Sequence, residues 1–442
     1  MDTLAQHFTK TKLLKYTLPT MAMMFVSSVY TIVDGLFVSN LVGKTALASM
    51  SLIFPFIMIL SSLGIMMGAG GSAVVGQLLG AGDRKGANRA FSLIVLATFL
   101  AGLVCTVFGI VFMDDVVVLL GGSGEMVPLA SVYGRIVFLS MPMFMLTYVF
   151  EMFCSVAGKP RLGFLSALTA AVVNISLDAL LMGAFGMGIE GAATATCLAE
   201  YSSAILMIVL FARGKVGALK LVRPCWDYRI PSRSIANGVS EMVTSAAISV
   251  VAMAYNLQLM SLFGPDGVAA YAVIEYASML VGAALGGLAE GMAPLMSYQH
   301  GAGNNREKRS LFANGATLML LVGVSSCAVI QVLVQPLAFV FTGYDENLMA
   351  LTVHAFRVYS IAFLLMGVAY FGSAIFTSVE NGKISALIAF VEIFVFELGC
   401  VILLPMFFGA DSIWWSIVVA EVAASIFTIG LLARYSKGYG WR

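Results

Sequence analysis

Residues 80–84 read Gly80-Ala81-Gly82-Asp83-Arg84, and residues 301–305 read Gly301-Ala302-Gly303-Asn304-Asn305. The second run stands 221 positions after the first, and 221 is half of the chain's 442 residues. Other identities fall at the same shift: Gly43 with Gly264, Ala48 with Ala269, Phe91 with Phe312, and Glu200 with Glu421. A similarity that recurs at half the length marks a duplication of the whole chain.

Composition says what was duplicated. The chain is 60% hydrophobic and 11% charged, with a net charge of +1 and a mean hydropathy of +0.97. A soluble domain carries about a quarter charged residues, so that class is excluded. Disorder is excluded as well, because no solvating majority of polar residues exists. The chain is a polytopic membrane protein.

A bilayer core near ~30 Å needs about 20 apolar residues per helix. Turn-forming and charged breaks then divide the chain into twelve segments: 14–39, 47–78, 90–113, 130–156, 162–185, 191–212, 234–262, 268–299, 311–341, 352–378, 385–408 and 413–434. The longest break runs from Arg213 to Arg233. It predicts a six-helix lobe over 1–212, a linker over 213–233 and a second six-helix lobe over 234–442. The fold class is therefore all-α integral membrane, in two pseudo-symmetric bundles. Six helices per repeat is an even number, so both repeats enter from one side and flank a central cleft.

Basic residues set the orientation. With the N-terminus cytoplasmic, 21 of the 24 lysines and arginines fall on that side, from Lys10, Lys12 and Lys15 to Arg434, Lys437 and Arg442. The opposite loops hold Lys44 against Asp114, Asp115, Glu125, Glu190, Asp266, Asp345, Glu346 and Asp411. Both termini are expected in the cytoplasm. The first apolar run is too long for a signal peptide and reads as a retained helix.

Several chemistries find no support. Gly68-Ala69-Gly70-Gly71 has no preceding strand and no following lysine, so it reads as close helix packing and not as a phosphate cradle. There is no Walker A motif, no HExxH and no GxSxG. The charge balance predicts no nucleic-acid partner, and no nucleotide or cofactor is expected. Six cysteines, Cys105, Cys154, Cys197, Cys225, Cys327 and Cys400, lack CxxC spacing and read as reduced packed thiols.

The informative residues are ten acids inside apolar segments: Asp34, Glu151, Asp178, Glu200, Glu241, Glu275, Glu290, Glu392, Glu397 and Glu421. An intramembrane carboxylate is costly and is a functional candidate by default. Glu200, Glu290 and Glu421 are expected near hydrated cytoplasmic ends. Glu392 and Glu397 lie deeper and read equally as a cavity lining or a structural hydrogen bond. Asp34 follows Tyr30 on the outer half of the first segment, fifteen residues after Pro19, whose ring permits a kink. Asn174 and Asp178 are spaced i,i+4 and share one helix face. Thr194 and Thr196 open the sixth segment. Gathered in the outer half of the first lobe, these groups could hold a proton, as crowded carboxylates in low dielectric do. Alternatively, their hard oxygen ligands suit a sodium ion. A blander reading pairs the acids with Arg135 or with hydroxyls.

The ordered set of motifs resembles the multidrug and toxic compound extrusion (MATE) transporters across essentially the whole chain. The resemblance rests on Leu18-Pro19, Val33-Asp34-Gly35-Leu36-Phe37-Val38, Gly76-Gln77-Leu78-Leu79-Gly80-Ala81-Gly82, Asn174 to Asp178 and Gly191 to Thr196. In the second half, Gly267 to Tyr271 and Trp414-Trp415 add to it. It implies a V-shaped pair of bundles in the plasma (inner) membrane. It also implies monomeric, ion-coupled antiport of organic cations against H+ or Na+, and not an enzyme. The family's coupling residues fall on Asp34, Asn174, Asp178 and Thr196, and its bending proline on Pro19. Secondary candidates in the cleft are Glu241, Glu275, Glu151, Tyr30 and Thr194. Another branch of the family places its acids on helices 7 and 10; Glu241 lies on the former, but the latter has no interior acid. Ser155 stands where many relatives carry an arginine before the glycine at Gly158. The runner-up is a lipid-linked oligosaccharide flippase, which would want interior arginines beyond Arg135 and Arg357. A polytopic membrane enzyme is a remote alternative, and a receptor or scaffold would leave the acids idle.

Overall fold

The computed structural model describes residues 3–120, 122, 124, 126–224, 226–343 and 345–441. Glu125, Cys225 and Arg442, counted above among the charges and thiols, lie outside the described residues. No strand occurs among the described residues. The twelve predicted segments keep their order as helices 1 to 12.

Helix 1 is Lys10–Phe37, capped by the Thr9 hydroxyl, and helix 2 is Lys44–Gly80. Helix 3 is Arg84–Leu119, helix 5 is Pro160–Asp178 and helix 6 is Gly188–Ala212. Helix 4 is a bent pair, Met126–Leu139 and Met141–Val156, turning by 53° at Ser140. Pro142 stands in the first turn of the second piece, where its missing N–H and fixed φ suit a helix start. Helices 7 and 8 form one 73-residue element, Arg229–Gly301. At about 1.5 Å per residue a straight rod of that length would exceed 100 Å, far more than a bilayer. It breaks at Gly264, where φ 65° and ψ −154° leave the helical region. Helix 7 thus begins at Arg229, inside the stretch read as linker. Helix 9 is Asn305–Thr342, and helix 10 joins Glu346–Tyr359 to Phe363–Ser378. Helix 11 joins Gly382–Phe390 to Leu398–Phe408, and helix 12 is Ser416–Tyr439.

Three segments wind as π-helices: Val38–Val42 after helix 1, Ala179–Ala184 after helix 5, and Val391–Glu397 within helix 11. The first two pack against each other.

The repeat is visible in the backbone. Gly43 and Gly264, 221 residues apart, both take a positive φ between consecutive helices. The turns after helices 2 and 8 match in detail. Gly82 and Gly303 are left-handed, while Asp83 and Asn304 cap the next helix by accepting from the amides of Gly86 and Glu307. Asparagine and aspartate do this work equally well, which explains why the motif tolerates the exchange.

The two halves meet through helices 1, 2, 7 and 8. Their closest approach is at the basic end, the one bearing both termini. There Gly70 lies against the carbonyl of Ser234, and Gly238 against that of Met66. Gln77 Nε2 donates to the Ser378 carbonyl at 3.2 Å. At the far end, a side chain at Gly43 or Gly264 would meet nothing within 4 Å.

An N-terminal strap adds to this closure. Phe8 N and His7 Nδ1 both contact the Glu307 carboxylate, at 2.8 and 2.7 Å. Asn314 Nδ2 donates to the Phe8 carbonyl at 2.9 Å, and Gln299 Nε2 to the Leu4 carbonyl at 2.8 Å. Leu4 and Phe8 are buried. The C-terminus packs beside the strap: Lys308 Nζ donates to the Tyr439 carbonyl at 2.7 Å, and Trp441 stacks on Phe312.

Candidate functional site

Helix 1 carries Asp34 one turn before its π segment, and helix 5 ends on Asp178 immediately before its own. Because those segments touch, the carboxyl groups of Asp34 and Asp178 come together and lie within hydrogen-bonding reach of each other. Both are buried, at 6% and 0% exposed. Asn174, one turn earlier on helix 5, is also buried, and its Nδ2 donates to Thr196 Oγ1 on helix 6 at 3.4 Å.

Four oxygens of this set have no donor among the described residues: Asp34 Oδ1, both oxygens of Asp178, and Asn174 Oδ1. Buried acceptors without donors are uncommon, and two carboxyls can bond each other only with a proton between them. Arg135 does not neutralise them; it pairs with Asp114 at 2.8 Å on the exposed surface. The set is therefore buried and rich in oxygen acceptors that lack a cationic partner among the described residues. Among the described residues no three acids, histidines or cysteines converge as a metal cluster. A sodium ion here would rely on two carboxylates, the Asn174 amide oxygen and the Thr196 hydroxyl.

The other candidates divide. Tyr30 stands within electrostatic reach of Asp34 on one side and of Glu151 and Glu200 on the other. Glu151 is buried at 6% exposed. Thr194 stays apart: its hydroxyl donates to the Glu190 carbonyl of its own helix at 2.7 Å. Glu241 and Glu275 belong to the second half, where Glu241 faces Glu290 and Glu275 is exposed, so neither joins the Asp34 set. Pro19 sits inside a continuous helix 1. Ser155 is buried against helix 1, with its carbonyl accepting from Tyr16 Oη at 2.5 Å.

Two expectations are corrected. Glu200 and Glu421 are not hydrated: each is 4% exposed, held inside its bundle well away from the helix end. Glu290 is intermediate in exposure. Sequence reasoning also missed Tyr133, buried on helix 4 within electrostatic reach of both Asp34 and Asp178. Nothing in Tyr133-Gly134-Arg135 marks it, because only the fold brings it near. A separate apolar cavity of about 410 Å³, lined by Phe312, Met319, Gly367, Phe371, Leu432 and Trp441, has no ionisable lining group and no hold on a cation.

The MatE family model matches residues 19–180 and 242–402, once in each half. The chain belongs to the MatE family. It is a family of transporters, not enzymes. Among curated relatives, the multidrug export protein MepA of Staphylococcus aureus is 24% identical over 421 residues, covering 92% of this chain and 90% of that protein. MepA of Staphylococcus saprophyticus is 24% identical over 426 residues, covering 94% and 91%. A crystal structure of MATE in complex with MaL6 superposes with a TM-score of 0.93 at 20% identity, covering 99% of this chain and 98% of that one. An outward-facing MATE family transporter of the MOP superfamily gives 0.92 at the same identity and coverage. The MatE member described here thus shares the fold of these transporters from end to end.

Proposed function

We propose that this MatE protein exports organic cations in exchange for a proton or a sodium ion by alternating access. The observation that carries the reading is the Asp34–Asp178 contact: two buried carboxyls face each other with no cationic side chain between them. Such a pair attracts one small cation strongly. An organic cation competes for the same negative field, and that competition is all that coupling requires.

The lobes 1–212 and 234–442, joined by the linker 213–233, act as the rocking units of a monomer. With both termini cytoplasmic, the tight basic end is the cytoplasmic gate, and the form described here opens outward in the inner membrane. In that form Asp34 and Asp178 take up the ion and the drug leaves. Inward opening then releases the ion as a new drug enters. A flippase for oligosaccharide pyrophosphates gains no support, since Arg135 is paired at the surface.

The test is ethidium efflux and drug resistance in cells lacking other pumps, with Asp34→Asn as the variant. Loss of efflux at normal expression is expected; undiminished efflux would sink the proposal. Proteoliposomes energised separately by a proton or a sodium gradient identify the ion.

A further inference from the structure

Glu200 and Glu421 occupy equivalent positions of the two repeats, on helices 6 and 12. Each is 4% exposed, and in each one carboxyl oxygen has no hydrogen-bond partner among the described residues. Neither takes part in an ion pair among the described residues. These two carboxyls, one per bundle, are not absorbed by the Asp34 site.

We infer that Glu200 and Glu421 form a pseudo-symmetric pair of proton-binding sites, one in each bundle, additional to the Asp34–Asp178 pair. The ligand is a proton because each carboxyl is buried at 4% exposed and has no ion-pair partner among the described residues. Around Glu200 stand Tyr30 of helix 1 and Thr147, Tyr148 and Glu151 of helix 4. Around Glu421 stand Glu392 and Glu397 of helix 11 and Tyr359 and Tyr370 of helix 10. No basic group is among them.

Beside Glu200 stands the Thr147 hydroxyl, which also lies 3.1 Å from the Met143 carbonyl of its own helix. At Glu421 a second feature contributes. Glu392 and Glu397 both lie in the π segment that packs against helix 12, and both stand within electrostatic reach of Glu421. A bare carboxylate at Glu421 would therefore sit uncompensated beside two others, which burial makes costly. Water admitted to either bundle when the lobes move would let the proton leave. The link to transport rests on the exchange reading above; the presence of the protons does not.

Two measurements on the full chain in lipid nanodiscs test this. The first is the infrared C=O stretch of protonated carboxyls, recorded across a pH titration. Glu200→Gln and Glu421→Gln should each remove one component, while Glu200→Asp and Glu421→Asp, which keep a carboxyl, should retain it. The second is proton release on adding ethidium in weak buffer, which each Gln variant should lower by about one proton per protein. An infrared spectrum unchanged in both Gln variants overturns the inference. Components that vanish while proton release stays the same overturn the coupling role. If the wild type neither binds ethidium nor releases protons, the export reading fails, and the infrared arm still decides the sites.

Discussion

Gly80 of helix 2 lies against the backbone carbonyl of Tyr298 on helix 8, and its repeat equivalent Gly301 lies against that of Gln77, the equivalent of Tyr298. The contact is thus made twice by one pseudo-two-fold operation. A Cβ at either glycine would overlap the opposing carbonyl, so the two helices touch backbone to backbone. Gly80→Ala and Gly301→Ala should each destabilise the closed basic end by about 1–3 kcal/mol, the usual cost of overpacking. Thermal unfolding in nanodiscs reads the loss, and the double variant should cost less than the sum because both push the same helices apart. Equal melting for wild type and all three variants would contradict the packing.

The Asn174–Thr196 bond makes a separate prediction. Thr196→Val keeps the shape and removes the acceptor of Asn174 Nδ2, leaving a buried amide unpaired at both ends. An unsatisfied buried polar group costs about 1–3 kcal/mol. Ethidium efflux should fall about tenfold, the ratio that about 1.4 kcal/mol represents. Thr196→Ser, which restores the hydroxyl, should recover most of it; a Val variant with full efflux removes Thr196 from the site.

The strap can be released without touching that site. Glu307→Ala deletes the acceptor shared by Phe8 N and His7 Nδ1. A cysteine placed at Leu4, buried at 3% exposed, should then be labelled by a maleimide several-fold faster. Equal labelling rates with and without the Glu307 carboxylate would show that the strap is held by its apolar contacts alone.

Arg135 supplies a negative prediction. Its partner Asp114 is exposed, and exposed pairs contribute about 0–1 kcal/mol. Arg135→Gln should leave ethidium efflux and melting close to wild type. A collapse of efflux would mean that Arg135 influences Asp34 or Asp178 after all.

These residues show what could be read in advance and why. The Gly80 and Gly301 runs were legible because a left-handed turn followed by a cap demands particular side chains. Asn174 and Asp178 were legible because a spacing of four fixes a shared face. Helix 3 begins at Arg84, six residues before its apolar stretch, because hydropathy tracks lipid and a helix can extend beyond it. Glu200 and Glu421 are expected near hydrated cytoplasmic ends, yet each stands thirteen residues before the basic residue near the end of its helix, Arg213 or Arg434. Thirteen residues of helix span about 20 Å, enough to separate a wet end from a dry interior. Tyr133 and the π segments leave no periodic trace, so only the fold reveals them.

Those π segments have a mechanical meaning. Each wide turn stores one residue more than an α turn needs, and the surplus can be passed along the helix without breaking it. Asp34 and Asp178 adjoin such turns, and Glu392 and Glu397 lie within one. Expelling the extra residue would swivel the downstream part of the helix by about 100° about its axis. The acids of both bundles are therefore mounted where their helices can change register, so that a small local slip redirects a carboxyl while the rest of the rod stays still.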